Sequence, residues 1–515
     1  MREEWEHILF EINSSITNKS MQSHIKHTFF VPIDTDAIYV DFSFDPPHQS
    51  NVNENKRLME EASFYYETKL PQNSGEIIRN LLTLSIDDHD GFRGARHYHS
   101  PVQHVRISDS DSTPGFLNKR NPAGLWSITV SIHALVTESC KFQLRVYKKA
   151  HSAINTVIPW RDKPLNQFIK DNGLSIPSYP PLEGPLSWVP SELHTHTFHS
   201  DGKQSMIEMT EAAKEMGLKA VVMTDHNTIS PFEEMEQAED LSGFHILYGL
   251  EWTTFYGHLL TIGYDSPTYT DWRVIGPLDI EKGISDIRQH GALVGIAHPF
   301  RIGNPIGTGC HWEFPVESIG VFDFIEVWNS TRPGSKAYNQ HAYQYWTDLL
   351  NKGYRITATA GRDWHHNDEI NPLPAITFVQ TPQVSDDKNT FRTAFLHSIK
   401  AGRISISYGK PLELMAMLGE RTYRVGDMIN KVEDQPIIVQ VSSEEWDYND
   451  RIDRNSGFLV IVTNEGEYCT GMTGLYQLNT ELLNKGLKWV RAELYASIDK
   501  GEPELVAFTN PIYIK

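Results

Sequence analysis

Apolar and polar residues alternate with a period of two through much of the first 150 residues. Thr28–Pro46 sets Ile38, Val40, Phe42 and Phe44 on one side of an extended segment, and Gly124–Leu135 and Lys141–Lys149 repeat the pattern. Side chains two apart in a strand share a face, so such runs with turn residues between them predict a β-sandwich over 1–150. A polar, Pro-rich stretch over 151–187, containing Ile176–Pro185, reads as a linker.

From 188 to 405 the rhythm becomes strand, helix, strand, helix. Ser205 and Glu208 stand in capping-box spacing at the head of a helical run, and Gly217 stands at its C-terminal end. Lys219–Thr224 is a continuous apolar run of the kind found in buried parallel strands. Ile280, Ile284 and Ile287 mark a second helix that ends at Gly291, and Ala292–Pro299 is the next strand. The segments FDFIEVWN, Lys336–Leu350, RITATAGRDWH and AITFVQ continue the alternation, which predicts an α/β domain, closed or open. After Ala401–Pro411 the period returns to two, predicting a smaller β-sandwich over 406–515.

Candidate chemistry collects where the apolar strand runs of the middle segment stop. In ELHTHTFHSDG, His194 and His196 are two apart at a strand end and aim the same way, with Asp201 just beyond. Asp225 and His226 follow KAVVM, Glu251 follows HILYG, His258 sits in YGHLLTIG, His298 follows VGIA, and Asp363 and His365 form a second pair in GRDWH. In α/β folds that end of the strands carries the active site. Imidazole nitrogens with carboxylate oxygens suit Zn²⁺, Mn²⁺ or iron, whereas a lone Mg²⁺ prefers oxygens and water. A single carboxylate such as Glu251 is able to bridge two ions. Most of the 23 histidines are read as surface or core residues instead. His89, His97 and His99 are assigned to a loop of the first β-domain, with a metal site there as the lesser alternative, and His151, His311 and His341 have no supporting pattern. His199 and His366 adjoin the motifs, as contacts to ligand groups or to solvent.

The stretch from Leu193 to Thr228 followed by GLEWTTFYGHLLTIG, AHP and GRDWH resembles the PHP (polymerase and histidinol phosphatase) superfamily over about 188–405. The flanking β-domains, with AGRISISYGKP and TNPIYI, resemble its carbaryl hydrolase-like branch. The resemblance implies a distorted (β/α)7-type barrel, flanked here by N- and C-terminal β-sandwiches, with two or three divalent metal ions. Carried over by position, one ion takes His194, His196, Glu251 and Asp363, and a second shares Glu251 with His258 and His298. A third takes Asp201, His226 and His365. Asp201 departs from members with a histidine there, and an oxygen at that place weakens the third ion or changes its preference.

Catalytic roles are assigned to His298, Asp225 and Arg301. Asp225 serves as an anchor beside His226 or as a cap for nearby amides. Arg301 and Arg362 neutralise a phosphate oxygen in the transition state or pair with ligand carboxylates. Trp328, Asn329, Trp364 and Tyr256 line the substrate pocket or pack against the rim. The implied activity is that of a metal-dependent hydrolase: a bound cation lowers the pKa of water from 15.7 toward ~7 and so provides hydroxide at neutral pH. A phosphoester is the favoured substrate, with a carboxylic or carbamate ester as the alternative. A third reading is a degenerate barrel whose β-domains bind carbohydrate or a protein.

Charge and composition narrow the classes further. A net charge of −20 disfavours extended nucleic acid. The three cysteines form no CxxC pair, no apolar stretch is long enough for a membrane helix, and the N-terminus lacks a secretory h-region, so a cytoplasmic protein is expected. GxSxG, P-loop and GxGxxG signatures are lacking, which disfavours a serine nucleophile and a nucleotide cofactor.

Overall fold

A computed structural model describes residues 5–67, 77–150, 185–264, 268–316, 319–366, 373–382, 387–430, 435–443, 451–470, 474–478 and 486–515. Most of the linker segment, 151–184, lies outside the described residues. The fold is α/β with β-rich regions on either side, and it is mostly sheet, with six α-helices among the described residues.

The N-terminal region pairs two four-stranded antiparallel sheets. One runs in the order Trp5–Thr17, Ser139–Ala150, Ile38–Asp45 and Val102–Ile107, and the other Ser23–Val31, Gly124–Ala134, Leu81–Asp88 and Gly91–Arg96. Their alternating apolar residues, including Val40, Phe42, Ile128, Val130 and Leu144, meet in one core. A helix that the period-two pattern did not predict, Val52–Tyr65, interrupts the strands. Asn51 caps it by accepting from the amides of Asn53 and Glu54 at 3.0 and 3.2 Å.

In the central region seven strands lie side by side in the order Leu186–Thr195, Ala220–Met223, His245–Thr253, His258–Ile262, Leu293–Ile296, Phe324–Asn329 and Thr357–Gly361. A parallel bridge between Thr195 and Trp364 links the last strand back to the first. The amide of Trp364 donates to the His194 carbonyl at 3.0 Å, and that of His196 to the Trp364 carbonyl at 2.9 Å. The regular strand–helix alternation expected here is interrupted. His258–Ile262 runs antiparallel to both neighbours, and a tight turn rather than a helix leads into it. That turn brings Glu251 and His258 together within one hairpin, which a helical crossover would not allow.

Helices cover this sheet where the apolar stripes predicted them. Met206–Glu215 begins at the Ser205–Glu208 capping box and ends ahead of Gly217, whose φ of +76° suits a residue without a Cβ. Ile280–Gln289 buries Ile280, Ile284 and Ile287.

The C-terminal region continues the same sheet. Ile376–Pro382 pairs with Leu186–Thr195, then come Ile404–Ser407, Pro503–Thr509, Trp489–Ile498, Ile452–Thr463 and Gly466–Thr470. A separate four-stranded sheet contains Arg421–Arg424, Leu412–Leu418, Ile437–Ser443 and Gly474–Leu478.

The N-terminal sandwich docks through buried polar and aromatic contacts. Arg273 grips Asp87 with two nitrogens at 2.7 and 3.0 Å and is itself held by Asp271. His24 packs between Phe255 and Trp272, with ring centres 4.8 and 4.7 Å away. Thr228 and Ser230 hydrogen-bond the backbone of Gly115. No helix among the described residues is long and apolar enough to cross a membrane.

Candidate metal centre

The nine residues proposed as ligands converge at the strand ends. Nε2 of His194 and Nε2 of His196 lie 3.2 and 3.3 Å from Oε2 of Glu251, and 3.4 and 3.1 Å from Oδ1 of Asp363. These contacts are short, yet the two imidazole nitrogens and Glu251 Oε2 are buried without a hydrogen-bond partner. Four donor atoms around a cation at 2.0–2.1 Å would be separated by about 3.3 Å in a tetrahedron. The four histidine–carboxylate spacings are close to that value, so this group suits a zinc-sized ion.

Two further groups adjoin the first. Oε1 of Glu251 lies 2.8 Å from Nδ1 of His258 and 3.2 Å from Nε2 of His298. The Cys310 thiol joins those two histidines to form a second set of clustered donors. Oδ1 of Asp201 lies 3.5 Å from Nε2 of His226 and 3.2 Å from Nε2 of His365, with His196 completing a third set. Glu251 thus presents one oxygen to each of two groups, a bridging position.

The far sides of the rings are held in ways that aim the donors. His194 Nδ1 meets Glu326 Oε1 at 3.0 Å, His298 Nδ1 donates to the Cys310 carbonyl at 3.2 Å, and His365 Nδ1 donates to the Asp363 carbonyl at 2.8 Å. His258 Nε2 donates to the Thr308 carbonyl at 3.2 Å. Such contacts fix the tautomer and leave the other nitrogen as a lone-pair donor. Two of the candidate ligands also carry strain: the backbone of His298 (φ +25°) and Asp363 (φ +55°) is in the left-handed region, a cost tolerated mainly where function needs a particular direction.

Electrostatics match this crowding. Burial alone would raise the Glu251 carboxyl, but His226, His194 and His258 hold it well below the usual carboxylate range. Burial likewise works against Asp201 and Asp363, and the neighbouring histidines, with Arg301 beside Asp363, outweigh it. His365 resists burial through Asp201 and Asp363 and rises to about 10. His196 falls to about 3, from burial first and then from His365 and His226. In the absence of cations, imidazolium protons balance the acids.

A cavity of about 620 Å³ opens onto these groups. One side is lined by Asp201, His226, Glu251, His258, His298, Asp363 and His365. The facing wall comes from the N-terminal region: Met59, Ile77, Ile78, Arg79, Leu81, His97 and His99. Arg301 lies at the mouth, partly exposed, with Nη1 on Oδ2 of Asp363. Of its two expected roles, the ion pair with a ligand carboxylate is the one seen.

For several residues the sequence left two readings open, and the contacts distinguish them. Asp225 is not among the residues lining this cavity, and its contacts are those of the expected cap for nearby amides. It accepts from the Thr197 amide and hydroxyl at 2.9 and 2.7 Å and from Ser200 at 2.5 Å, so it shapes the loop that carries His196 and Asp201. Trp328, Asn329, Trp364 and Tyr256 do not line the cavity. Trp328 stacks on Tyr408, Asn329 donates to Glu326, Trp364 donates to the His366 carbonyl, and Tyr256 packs on Phe314. His199 is bound to Ser230 and Glu234, away from the donor groups. Arg362 stacks over Trp364.

Other residues of the site were not assigned from sequence. His97 and His99 reach Asp201 and His226 from the other domain. Cys310 lies among the second set of donors. Glu326 was the most legible of those missed, as a lone acid inside the apolar run FIEVWN.

The PHP domain family model matches residues 192–355. That segment is a PHP domain. An uncharacterised protein of Methanocaldococcus jannaschii is 26% identical over 121 residues, spanning 21% of this chain and 67% of that protein. Among solved structures, the chain is similar to a two-domain Bacteroides vulgatus protein containing a predicted PHP-like metal-dependent phosphoesterase. That match has 15% identity and a TM-score of 0.35, and covers 63% of this chain and 98% of the other. It is also similar to an amidohydrolase from Chromobacterium violaceum, with 16% identity and a TM-score of 0.24, over 35% of this chain and 88% of the other. Beyond the PHP domain match, the His, Asp and Glu groups gathered here are of a kind that could hold metal ions.

Proposed function

We propose that this protein is a metal-dependent phosphoesterase acting on a small ester. The observation that carries the reading is the close cluster of four donors from His194, His196, Glu251 and Asp363, the first three of them buried, with further donors on either side. The seven central strands with their Thr195–Trp364 closure support a distorted PHP barrel around it. Ions of the Zn²⁺, Mn²⁺ or iron type fit these nitrogen-rich sets, and when bound they supply Lewis acidity and an activated water.

The chain's own groups do the rest. Arg301, tethered to Asp363 and partly exposed, is placed to take a charged oxygen of the substrate. His298 lies at the cavity wall with its Nδ1 fixed by a carbonyl, so its Nε2 is aimed as a lone-pair donor toward the group around Glu251. Met59, Ile77, Ile78 and Leu81 offer an apolar surface to the leaving group. That surface also favours a second reading, hydrolysis of an aryl carboxylic or carbamate ester, as the carbaryl hydrolase-like branch would do. A degenerate scaffold is disfavoured, because no donor is missing from the three groups. A cytoplasmic location belongs to the same proposal.

The test is paired turnover of an aryl phosphate and an aryl carboxylate ester by protein loaded with Zn²⁺ or Mn²⁺. The expected result is phosphate-ester turnover that is lost in Glu251→Ala. Carboxylate-ester turnover alone would favour the second reading, and metal content without turnover of either would overturn both.

A further inference from the structure

The N-terminal sandwich does more than roof the cavity. The hairpin strand Gly91–Arg96 ends where the cavity begins, and His97 and His99 follow it at a spacing of two. His99 extends its ring, about half exposed, to bring Nε2 within 3.2 Å of Oδ2 of Asp201. His97 is buried, 6% exposed, with its Nδ1 lacking any hydrogen-bond partner. One donor atom from each of His97, His99 and Asp201 falls within 4.8 Å of the others.

Asp201 is divided between two neighbourhoods. Its Oδ1 faces His226 and His365 of the central region, and its Oδ2 faces His99 of the N-terminal region. A carboxylate so placed can serve a cation on each side. The second position has two imidazoles and one carboxylate, and it opens onto the cavity. Three protein ligands leave a fourth position on a zinc-type ion free for water or a substrate oxygen.

We propose that His97, His99 and Oδ2 of Asp201 form an additional transition-metal site across the domain interface, outside the sets contributed by the PHP domain alone. The ion is of the Zn²⁺, Co²⁺ or Mn²⁺ class, with water or a substrate oxygen completing its shell. Occupancy of this site ties the N-terminal sandwich to the PHP domain beside the reacting groups. The inference does not depend on which ester is cleaved.

The full chain, stripped with a chelator and desalted after reloading with Zn²⁺ alone, tests it by elemental analysis. Paired Co²⁺ loading gives a visible absorption spectrum for each site. His99→Gln, whose side chain is half exposed, and His97→Gln/His99→Gln are expected to hold one zinc equivalent fewer than the wild type and to lose one component of the cobalt spectrum. Glu251→Gln is expected to retain that component while losing the ions it bridges, so failure of the PHP-domain sites and failure of this site read out separately. Equal zinc content and identical cobalt spectra in wild type and His99→Gln would show that the pair is an imidazole–carboxylate hydrogen bond only, and would overturn the proposal. Thermal unfolding of each variant identifies any loss of metal that comes from loss of fold.

Discussion

Glu326 Oε1 lies 3.0 Å from Nδ1 of His194, and its second oxygen accepts from the His298 amide at 3.0 Å and from Asn329 at 3.1 Å. One buried carboxylate therefore sets the tautomer of one ligand and the backbone of another. Glu326→Gln keeps the shape but removes the charge that makes Nδ1 of His194 the donor. Metal affinity is expected to fall about 10- to 100-fold with the fold intact, as measured by competition with a chromophoric chelator.

Gly361 abuts both residues of that pair. A Cβ at Gly361 would lie 2.5 Å from Cβ of His194 and closer still to Oε1 of Glu326, neither of which is free to move in this packed setting. Gly361→Ala is expected to cost about 1–3 kcal/mol from overpacking and to reduce metal content, read by thermal unfolding and elemental analysis. Unchanged stability would mean that the strand Thr357–Gly361 yields more easily than its burial implies.

Metal uptake is expected to release protons. Burial opposes the charged form of His194, but Glu326, Glu251 and Asp363 hold its pKa well above the usual imidazole value, and His365 stands at about 10. Both are protonated at pH 7 in the metal-free protein, while a metal needs neutral imidazole. Affinity therefore rises with pH across the neutral range. Calorimetric titrations in buffers of different ionisation enthalpy should show at least one proton released per chain at pH 7.

His24 makes the domain interface sensitive to acid. Burial first, and then Arg273, lower its pKa to about 4. An unfolded histidine titrates near 6.5, so between roughly pH 6.5 and 4 the unfolded chain binds a proton that the folded one does not. Stability attributable to His24 is thus complete above pH 6.5 and is lost as pH falls toward 4. Discounted for the partial exposure of the ring, the loss is on the order of 2 kcal/mol. His24→Phe should flatten the dependence of melting temperature on pH between 7 and 5 while leaving it similar at pH 8.

The convergence of the candidate ligands was legible because several of them, such as His226, Glu251 and His298, stand where an apolar run ends, and local period and strand polarity carry that information. The antiparallel hairpin joining Glu251 to His258 was not legible, since HILYGLEWT and HLLTI read alike for parallel or antiparallel pairing. Asp225 shows another limit: a strand-end acid beside a ligand looks the same in sequence whether it faces substrate or holds a loop through Thr197 and Ser200. The contribution of His97 and His99 depends on how two domains dock, through contacts such as Arg273 with Asp87, and no local pattern encodes that.

Ile404–Ser407 hydrogen-bonds on one edge to Ile376–Pro382 and on the other to Pro503–Thr509. During synthesis the second edge has no native partner until about a hundred more residues have left the ribosome. Through that interval a short, fully buried strand presents open amides and carbonyls, the situation in which nascent chains pair with one another. Translation speed over 408–509 and chaperone supply are therefore expected to bear on the yield of native protein, even though the candidate metal ligands have all been made by residue 365.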